Sequence, residues 1–494
     1  MTMALLRAVV VPRRPVAALE PVIGGDRYAR LTAGAARHLS RMAGRTVWNV
    51  NSTAVGGGVA EMLQALVGYV RDLGIPVRWM VIGGDPDFFA ITKRLHNQLH
   101  GVGDPVDIGD AEAEHYRQVL AANADELLKL VRPGDIVLLH DPQTAGLTAP
   151  LARAGMFVVW RCHVGVEWQN DATRAAWKFL RPHLAAAHGF VFSRRSYVPS
   201  WVPEGLAWII PPSIDPFSPK NQDLDADTVR AILARIGVLD HASPLAPTRF
   251  VRGDGTAGEV TSSASVICDD LPGPADLVVV QISRWDRLKD MGGVMRGFAD
   301  HVAPEGAGFL MLAGPAVAGV TDDPEGAAVY AQCAAQWRSL PAAVRARVLL
   351  ITLPLDDVDE NAAMVNAMQR HATVIAQKSL AEGFGLTVTE GMWKARAVIG
   401  SAVGGIVDQI VDGTGVLLRD ATDLRAFGSE VRRLLDQPVQ AERLGAAARA
   451  HVRDHYLGDL HLLHYARLFG TLINSGLDPT AECEAAAGTQ STTT

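Results

Sequence analysis

Residues 373–391 read TVIAQKSLAEGFGLTVTEG, an apolar run followed by a glycine-containing turn and a helix-like segment. TVIAQ has the short, apolar composition of a buried strand, and LTVTEGMWKA is typical of a helix. Gly383 and Gly385 would let a ligand reach the free N–H groups at the start of that helix, where the helix dipole favours negative charge. Glu382 lies in the turn and Glu390 inside the helix. The stretch predicts a strand–turn–helix unit with a ligand site flanked by two carboxylates; the alternative is a pair of surface glutamates.

Similar apolar runs recur along the chain and alternate with helix-like segments. They lie at 46–50, 77–82, 135–139, 156–160, 189–192, 277–282, 308–314, 347–352, 373–377 and 397–400. This alternation predicts parallel sheets covered by helices on both faces. Because the runs form two sets, we predict an α/β protein with two Rossmann-like, doubly wound parallel-sheet domains facing a central cleft. Ligands of such sheets bind at the carboxyl ends of the strands.

Changes in composition set the predicted domain bounds. The stretch 241–274 is rich in Gly, Ser, Thr and Pro and is interpreted as a linker or insertion. Residues 476–494 are small and polar, so we expect a disordered tail. The predicted parts are an N-terminal domain at 1–240 with an N-terminal extension at 1–44, a C-terminal domain at 275–455, and a helix at 456–475 that packs back on the N-terminal domain.

Composition excludes several classes of function. The 494 residues are enough for two domains. With 46 basic and 53 acidic residues the net charge is −7, which provides no global positive field for nucleic acid or an anionic membrane. The four cysteines are scattered without metal-ligand spacing. No stretch approaches the roughly 20 apolar residues of a membrane span, and the N-terminal apolar run is too short for a secretion signal. We expect a soluble cytoplasmic protein with small-molecule partners, and leave a homodimer open.

The stretch 51–74, NSTAVGGGVAEMLQALVGYVRDLG, follows the first predicted strand. Apolar residues at helical spacing place the glycines Gly56–Gly58 at the start of an amphipathic helix. Such a turn suits a phosphate group, although neither the Walker pattern nor GxGxxG is present. The alternative is a glycine turn that serves only tight packing.

The stretch 281–293, QISRWDRLKDMGG, follows the first strand of the second set. Arg284 and Lys289 are expected at the carboxyl edge of the sheet, where two cations could neutralise a diphosphate leaving group. The alternative is a solvated loop with a mixed charge cluster.

Together these motifs resemble a known family. EGFGLTVTE resembles the E-x7-E motif of the retaining family 4 glycosyltransferases of GT-B fold, and SRWDRLK resembles their donor-phosphate segment. WNVNSTAVGGGVAEML, HDPQTAGL, WRCHV, IPPSIDPFSPKN and VGGIVDQIVDG resemble the trehalose synthases of that family, which join a nucleotide-activated glucose to free glucose. The resemblance runs from about residue 45 to about residue 470. It implies an N-terminal acceptor-binding domain and a C-terminal donor-binding domain.

The resemblance also implies roles for single residues. The implied catalytic residues are His163, Arg284, Lys289 and Glu382. The implied donor-binding residues are Gly57, Gly58, Arg284, Lys289, Glu382, Phe384, Gly385, Leu386 and Glu390, with Arg284 and Lys289 on the diphosphate, Glu382 on the sugar and Glu390 on the ribose. The implied acceptor-binding residues are His140, Asp141, His163 and Asp85, to which Glu61 is added. No cofactor is expected beyond the nucleotide sugar, and no metal, because the cationic pair replaces it.

Other interpretations stay open. Related trehalose-forming enzymes commonly carry an acidic residue shortly after the histidine of WRCH, whereas this chain has Val164 and Gly165 before Glu167. A different sugar acceptor is therefore one alternative, and a trehalose phosphorylase that uses orthophosphate is another. A non-catalytic nucleotide-sugar-binding protein is the remote alternative. A metal-dependent enzyme would need a DxD motif, and the DPD at Asp85–Asp87 is better explained by an Asp that caps a helix.

Overall fold

A mostly parallel sheet forms the centre of each of the two units into which the chain divides. The computed structural model describes residues 6–42, 44–54, 57–240, 246–306, 308–317 and 324–474. Unit 1 comprises Met1–Ser213 with Gly458–Thr494, and unit 2 comprises Ile214–Leu457. The tail predicted at 476–494 lies outside the described residues.

The first part of unit 1 alternates strands and helices. Its elements are β1 (Leu6–Ala8), a 3-10 helix (Val16–Leu19), α1 (Glu20–Ile23), α2 (Gly25–Met42), β2 (Val47–Asn51), α3 (Gly58–Asp72), β3 (Val77–Ile82), α4 (Pro86–Leu99), α5 (Asp110–Leu128), β4 (Ile136–His140), a 3-10 helix (Pro142–Leu147), α6 (Thr148–Arg153), β5 (Phe157–Cys162), α7 (Asp171–Leu184), β6 (Gly189–Phe192), two 3-10 helices (Arg195–Tyr197 and Glu204–Leu206) and β7 (Ala207–Ile209).

Unit 2 repeats the alternation, after which the chain returns to unit 1. Its elements are α8 (Ala226–Arg235), β8 (Arg249–Val251), β9 (Ala257–Glu259), β10 (Ser265–Ile267), β11 (Val278–Ile282), a 3-10 helix (Arg287–Lys289), α9 (Met291–His301), a 3-10 helix (Ala303–Glu305), β12 (Phe309–Pro315), α10 (Pro324–Ser339), α11 (Ala342–Arg345), β13 (Val348–Leu353), α12 (Val358–His371), β14 (Val374–Gln377), α13 (Leu386–Trp393), β15 (Ala397–Ser401), α14 (Ile406–Gln409), β16 (Val416–Leu418), α15 (Leu424–Asp436) and α16 (Pro438–His455). The last helix, α17 (Gly458–Asn474), belongs to unit 1.

The strand orders confirm the predicted fold class. Among the described residues, unit 1 has the order β1-β3-β2-β4-β5-β6-β7 and unit 2 has the order β10-β13-β12-β11-β14-β15-β16. Within these two sheets of described strands, β1 and β10, at the edges, pair antiparallel with their neighbours, and the other pairs are parallel. In each sheet the order reverses next to the first parallel strand, so β2 and β4 flank the switch point of unit 1, and β11 and β14 flank that of unit 2. Ligands of doubly wound sheets bind beside this point.

The central strands are buried along their whole length. Every residue of β4, β5, β11 and β14 is buried, as expected for parallel strands covered by helices on both faces. Consequently a polar residue within these strands needs a partner inside the protein. Four such residues, His140, Arg161, Gln281 and Gln377, lie at or near the carboxyl ends of these strands.

The division between the units lies at Ser213–Ile214, whereas the sequence pattern predicts that the N-terminal domain ends at residue 240. The difference arises because α8 packs its buried Val229 and Ile232 against α12 of unit 2. In the same segment, Asn366 Nδ2 donates to the carbonyl of Pro219 at 3.0 Å.

The segment predicted as a linker or insertion at 241–274 also belongs to unit 2. It contains the hairpin β8–β9 and the edge strand β10. Of the predicted C-terminal helix 456–475, residues 458–474 form α17, which packs on α2 and α3 of unit 1. No helix in the described ranges combines the length and apolarity needed to cross a bilayer.

Candidate active site

The turn between β14 and α13 carries Glu382. Gly385 is the residue before α13 and has φ +88°, a conformation that glycine adopts without strain. A Cβ at this position would lie 3.1 Å from Glu382 Cγ and 3.2 Å from Ile406 Cγ1. The close approach holds the backbone of the turn against the Glu382 side chain, and only glycine fits there without displacement. Phe384 is buried, and its carbonyl accepts a hydrogen bond from Gln409 Nε2, which anchors the turn.

Lys289 and Glu382 form an ion pair at the switch point of unit 2. Lys289 Nζ lies 2.7 Å from Glu382 Oε1 and 2.6 Å from Oε2. The side chains are 15% and 11% exposed, so the pair is largely removed from water. Ser379 Oγ also donates to Glu382 Oε2 at 3.2 Å. The structure therefore brings together two predicted site residues that are 93 positions apart in the chain.

Arg284, the second predicted cation, lies in the loop after β11. Its guanidinium is 3.6 Å from the carboxylate of Asp286, and its side chain is 56% exposed. Arg284 is thus much more accessible than Lys289. A long, exposed cation at the edge of the sheet is able to reach a phosphate group without losing a buried partner.

Glu390 lies on α13, where its side chain is buried. Lys220 Nζ lies 3.6 Å from Glu390 Oε1. Lys394, one turn further along, donates to Asn221 Oδ1 at 2.8 Å and to the Glu390 carbonyl at 3.2 Å. Burial lowers the pKa of Lys394 well below its usual value, although the Glu390 carboxylate opposes the shift. Sequence reasoning did not identify Lys220 and Lys394, even though Lys220 lies within IPPSIDPFSPKN.

The glycine turn of unit 1 begins α3. Gly57 is the residue before the helix and Gly58 its first residue, whereas Val55 and Gly56 lie outside the described residues. Among the described residues, and apart from its chain neighbours, no atom lies within 4 Å of a Cβ added at Gly57. Glu61 lies in the first turn of α3 and is exposed.

His140, Asp141 and His163 meet at the carboxyl ends of β4 and β5. His140 Nδ1 lies 2.9 Å from His163 Nε2, and the His163 backbone N–H donates to Asp141 Oδ1 at 2.8 Å. Asp141 has φ +64°, an unfavourable value for a residue with a Cβ. Strain of this kind is concentrated at functional sites. The structure therefore groups three of the predicted acceptor residues.

Arg161 is a site residue that sequence reasoning missed. It is fully buried in β5 and donates to His163 Nδ1 at 3.2 Å, to Tyr465 Oη at 2.6 Å and to the Ile210 carbonyl at 3.0 Å. A charged residue in the apolar run MFVVWRC was the available signal, because a buried arginine needs several acceptors. Its main partner, Tyr465, lies on α17, 304 positions away.

Burial and the field of Arg161 control the ionisation of this cluster. Burial lowers the pKa of His140 to about 3, with a further contribution from Arg161. The same two causes lower the pKa of His163 well below its usual value. Loss of water around the carboxylate raises the pKa of Asp141 to about 7, although the His163 N–H bond and Arg161 oppose this shift. Both imidazoles are therefore neutral at physiological pH, and Asp141 titrates near it.

Asp85 makes two hydrogen bonds at the start of a helix. It precedes α4, and its Oδ1 accepts a hydrogen bond from the Phe88 N–H at 2.8 Å. His115 Nε2 lies 2.8 Å from the same oxygen. The Phe88 and His115 bonds lower the pKa of the Asp85 carboxyl. The DPD motif thus begins with a helix cap, as the sequence suggests. Within the described part of the chain, no group of three or more His, Cys, Asp or Glu side chains is arranged to hold a metal ion.

The amino-acid sequence of this chain is similar to those of known proteins. Residues 49–199 match the family "Trehalose synthase, N-terminal domain", and residues 359–451 match the family "Glycosyl transferases group 1". A trehalose synthase from Pyrococcus horikoshii is 32% identical over 461 residues, which cover 93% of this chain and 97% of that protein. The chain belongs to the trehalose synthase family. As a member of the trehalose synthase family it is a glycosyltransferase, which confirms the resemblance found in the sequence.

Two further similarities extend this result. A trehalose phosphorylase from Pleurotus pulmonarius is 27% identical over 433 residues, covering 82% of this chain but 54% of that protein. The solved structure of an α,α-trehalose-phosphate synthase (UDP-forming) from Burkholderia vietnamiensis has a TM-score of 0.63 and 14% identity, covering 87% of this chain and 98% of that one. At this identity the likeness concerns the fold, and it agrees with the GT-B architecture of the trehalose synthase family.

Proposed function

We propose that this protein transfers glucose from a nucleoside-diphosphate glucose to free glucose and forms trehalose with retention of configuration. The observation that carries the proposal is the Lys289–Glu382 pair at the switch point of unit 2. It lies in a chain that is 32% identical, over 93% of its length, to a trehalose synthase. In this proposal Lys289 is the cation for a phosphate, and Glu382, beside it, is the carboxylate for sugar hydroxyls.

The donor is assigned to unit 2. Lys289 and Arg284 would neutralise the diphosphate, and the N–H groups of Phe384, Gly385 and Leu386 at the start of α13 would bind phosphate or sugar oxygens. Glu382 would exchange Lys289 for hydroxyls of the transferred glucose. Glu390 would bind the ribose hydroxyls.

In the proposed reaction the bond between glucose C1 and the β-phosphate oxygen breaks, and the sugar develops oxocarbenium character. The anomeric hydroxyl of the acceptor glucose attacks C1 from the face that the phosphate leaves. Its proton passes to the departing phosphate oxygen, so the products are trehalose and the nucleoside diphosphate. Lys289 and Arg284 stabilise the charge that accumulates on this leaving group. The route requires neither a carboxylate nucleophile nor a metal ion.

The acceptor is assigned to unit 1, with His140, Asp141, His163 and Asp85 as its side chains. Gly57 and Gly58 would lie near the donor diphosphate from the side of unit 1. Because both nitrogens of the His163 ring are hydrogen-bonded within the protein, its role is to shape the reaction site as a neutral group. Asp141, which titrates near neutrality, is the side chain suited to accept a hydrogen bond from a hydroxyl of the acceptor.

The test mixes the purified protein with glucose and UDP-, ADP- or GDP-glucose, and measures nucleoside diphosphate release and the sugar product by NMR. We expect trehalose with α,α linkage, formed equally in the presence of EDTA. Release that occurs only with another acceptor would retain the glycosyltransferase and reject trehalose as its product. No release with any acceptor would reject the transfer reaction.

The second candidate is a trehalose phosphorylase, favoured by the 27% identity to such an enzyme from Pleurotus pulmonarius. That relative is matched over only 54% of its length, which makes it the weaker candidate. Incubation of trehalose with orthophosphate separates the two reactions. Formation of glucose 1-phosphate without added nucleotide would assign the phosphorylase reaction.

A further inference from the structure

Two buried side chains of unit 2, Gln281 and Lys378, connect the loops that carry Lys289 and Glu382. We infer that Lys378 is a positioning residue for the donor site. It fixes the loop of Lys289, and it cancels the charge of Asp290, which would otherwise repel a nucleoside diphosphate. This inference rests on the proposed function, since it concerns the same donor site.

Gln281 lies at the switch point and bonds to both loops. It is fully buried in β11, next to β14. Its Nε2 donates to the carbonyl of Lys289 at 2.7 Å, and its Oε1 accepts a hydrogen bond from the backbone N–H of Lys378 at 3.0 Å. One side-chain amide therefore joins the backbone of Lys378, the first residue after β14, to the backbone of Lys289.

Lys378 completes the connection with a charge. Its side chain is fully buried, and its Nζ binds the carboxylate of Asp290 and donates to the Ala421 carbonyl at 2.6 Å. Asp290 follows Lys289 directly and has φ +47°. The Asp290 carboxylate also caps α9 by accepting a hydrogen bond from the Gly293 N–H at 3.1 Å. The ammonium group thus stabilises a strained residue adjacent to Lys289.

The backbone alone already holds the two loops side by side. The Leu380 N–H donates to the Leu288 carbonyl at 2.7 Å. Lys378 adds to this backbone contact by holding Asp290, but a buried ammonium is costly to desolvate, so support of the loop alone does not explain why the residue is charged. The charge matters if a diphosphate binds nearby, because Glu382 and Asp286 already lie beside Lys289 and Arg284. Without Lys378, Asp290 would add a third carboxylate whose charge is not compensated.

The experiment compares Lys378→Met with the double variant Lys378→Met/Asp290→Asn in the full-length protein. Calorimetry gives the Kd of UDP, ADP and GDP, and steady-state kinetics gives the KM of the donor. We expect Lys378→Met to raise the Kd and KM by about tenfold or more, because an uncompensated carboxylate lies beside the phosphates. The double variant, which removes that charge, should recover most of the affinity.

A matched control is Lys129→Met, which removes a lysine from the exposed Lys129–Glu126 pair of unit 1. It should leave the Kd and KM unchanged. Amide hydrogen exchange of residues 286–293 provides a readout that needs no substrate, and should be faster in Lys378→Met than in the wild type.

Three negative results are distinguishable. If the wild type binds a nucleotide and Lys378→Met binds it equally well while melting at a lower temperature, Lys378 is only structural and the inference is wrong. If the double variant is no better than Lys378→Met, the charge compensation is rejected. If the wild type itself binds none of the three nucleotides, the proposed function fails, and the assignment that depends on it fails too.

Discussion

His140 and His163 stack with ring centroids 5.3 Å apart and an angle of 14° between the planes. The direction of their hydrogen bond is fixed, because Arg161 can only donate to His163 Nδ1. A neutral His163 then carries its proton on Nε2 and donates to His140 Nδ1. His140 in turn carries its proton on Nε2, 3.4 Å from Asn49 Oδ1. A proton added to either ring would disrupt this chain.

The pH dependence of the reaction should therefore show no imidazole from this pair. Burial lowers the pKa of His140 to about 3 and that of His163 well below its usual value, so both rings stay neutral at physiological pH. The measurement is kcat/KM against pH for the wild type and for His163→Gln. An ionisation near pH 6.5 that disappears in His163→Gln would contradict the neutral pair.

Asp141→Asn should change how stability depends on pH. The Asp141 pKa is raised from 3.8 to about 7, so between these values the folded protein holds a proton that the unfolded chain has lost. The contribution of Asp141 to the free energy of unfolding is therefore full below pH 4 and declines until about pH 7, by about 4 kcal/mol at most. Buried neutral histidines make the free energy of unfolding change with pH in the opposite direction. The stability of the variant must therefore be compared with that of the wild type at each pH.

Urea unfolding of Asp141→Asn and the wild type at intervals from pH 4 to pH 8 measures this difference. The asparagine variant should gain stability relative to the wild type as the pH rises, since Asn cannot ionise. A constant difference across the range would show that Asp141 keeps an ordinary pKa.

Arg161→Met should destabilise unit 1. The change leaves the Tyr465 hydroxyl and the Ile210 carbonyl without their donor, at a cost of about 3 kcal/mol. Tyr465→Phe removes one acceptor of a buried guanidinium that keeps its other acceptors, and should cost less, about 2 kcal/mol. Chemical denaturation of both variants tests the ranking. Equal stabilities would mean that the guanidinium gains little from its buried acceptors.

Lys289→Ala should greatly reduce turnover while the protein remains folded. Loss of the cation leaves the developing charge on the leaving group less stabilised, a term worth about 3 kcal/mol or roughly a hundredfold in kcat. Circular dichroism checks folding, and steady-state kinetics with the donor that the wild type uses gives kcat and KM. Unchanged turnover together with unchanged donor affinity would remove Lys289 from the diphosphate site.

Gly385→Ala should reduce activity more than its effect on stability suggests. The added methyl group meets Glu382 Cγ at 3.1 Å, so the carboxylate must move. Gly413→Ala is the matched control in the same unit, with φ +78° and no atom within 4 Å of the added carbon. Both variants should lose about 1–2 kcal/mol of stability from the backbone. Only Gly385→Ala should also lose kcat, and equal activities would contradict the tight fit.

The sequence predicted the parallel strands well because buried strands leave a continuous apolar signal. The strand predicted at 347–352, for example, is β13 at Val348–Leu353. The edge strands β1, β7, β10 and β16 were missed, since each has three residues and limited burial. The domain bounds were harder to predict from the sequence. α8 packs within unit 2 through ordinary apolar residues, and their pattern does not show which element they pack against.

The turns that carry the site residues could be predicted from the sequence, whereas the contacts between those residues largely could not. Glu382 and Lys289 were both identified from their position after a strand, but their pairing depends on β11 and β14 being neighbours in the sheet. Lys378 lies in the same stretch as Glu382, but its role could not be predicted, because its partner Asp290 lies 88 positions earlier. Contacts between distant segments follow from strand order, which local patterns do not determine.

The return of α17 to unit 1 has a consequence for biosynthesis. Unit 2 is one continuous segment, Ile214–Leu457, and all of it leaves the ribosome before α17 does. Unit 1 cannot complete its hydrogen bonding until α17 is synthesised, because Tyr465 on α17 supplies an acceptor to Arg161. The side chains around His163 in unit 1 therefore gain the Arg161–Tyr465 hydrogen bond only after the whole of unit 2 has been synthesised.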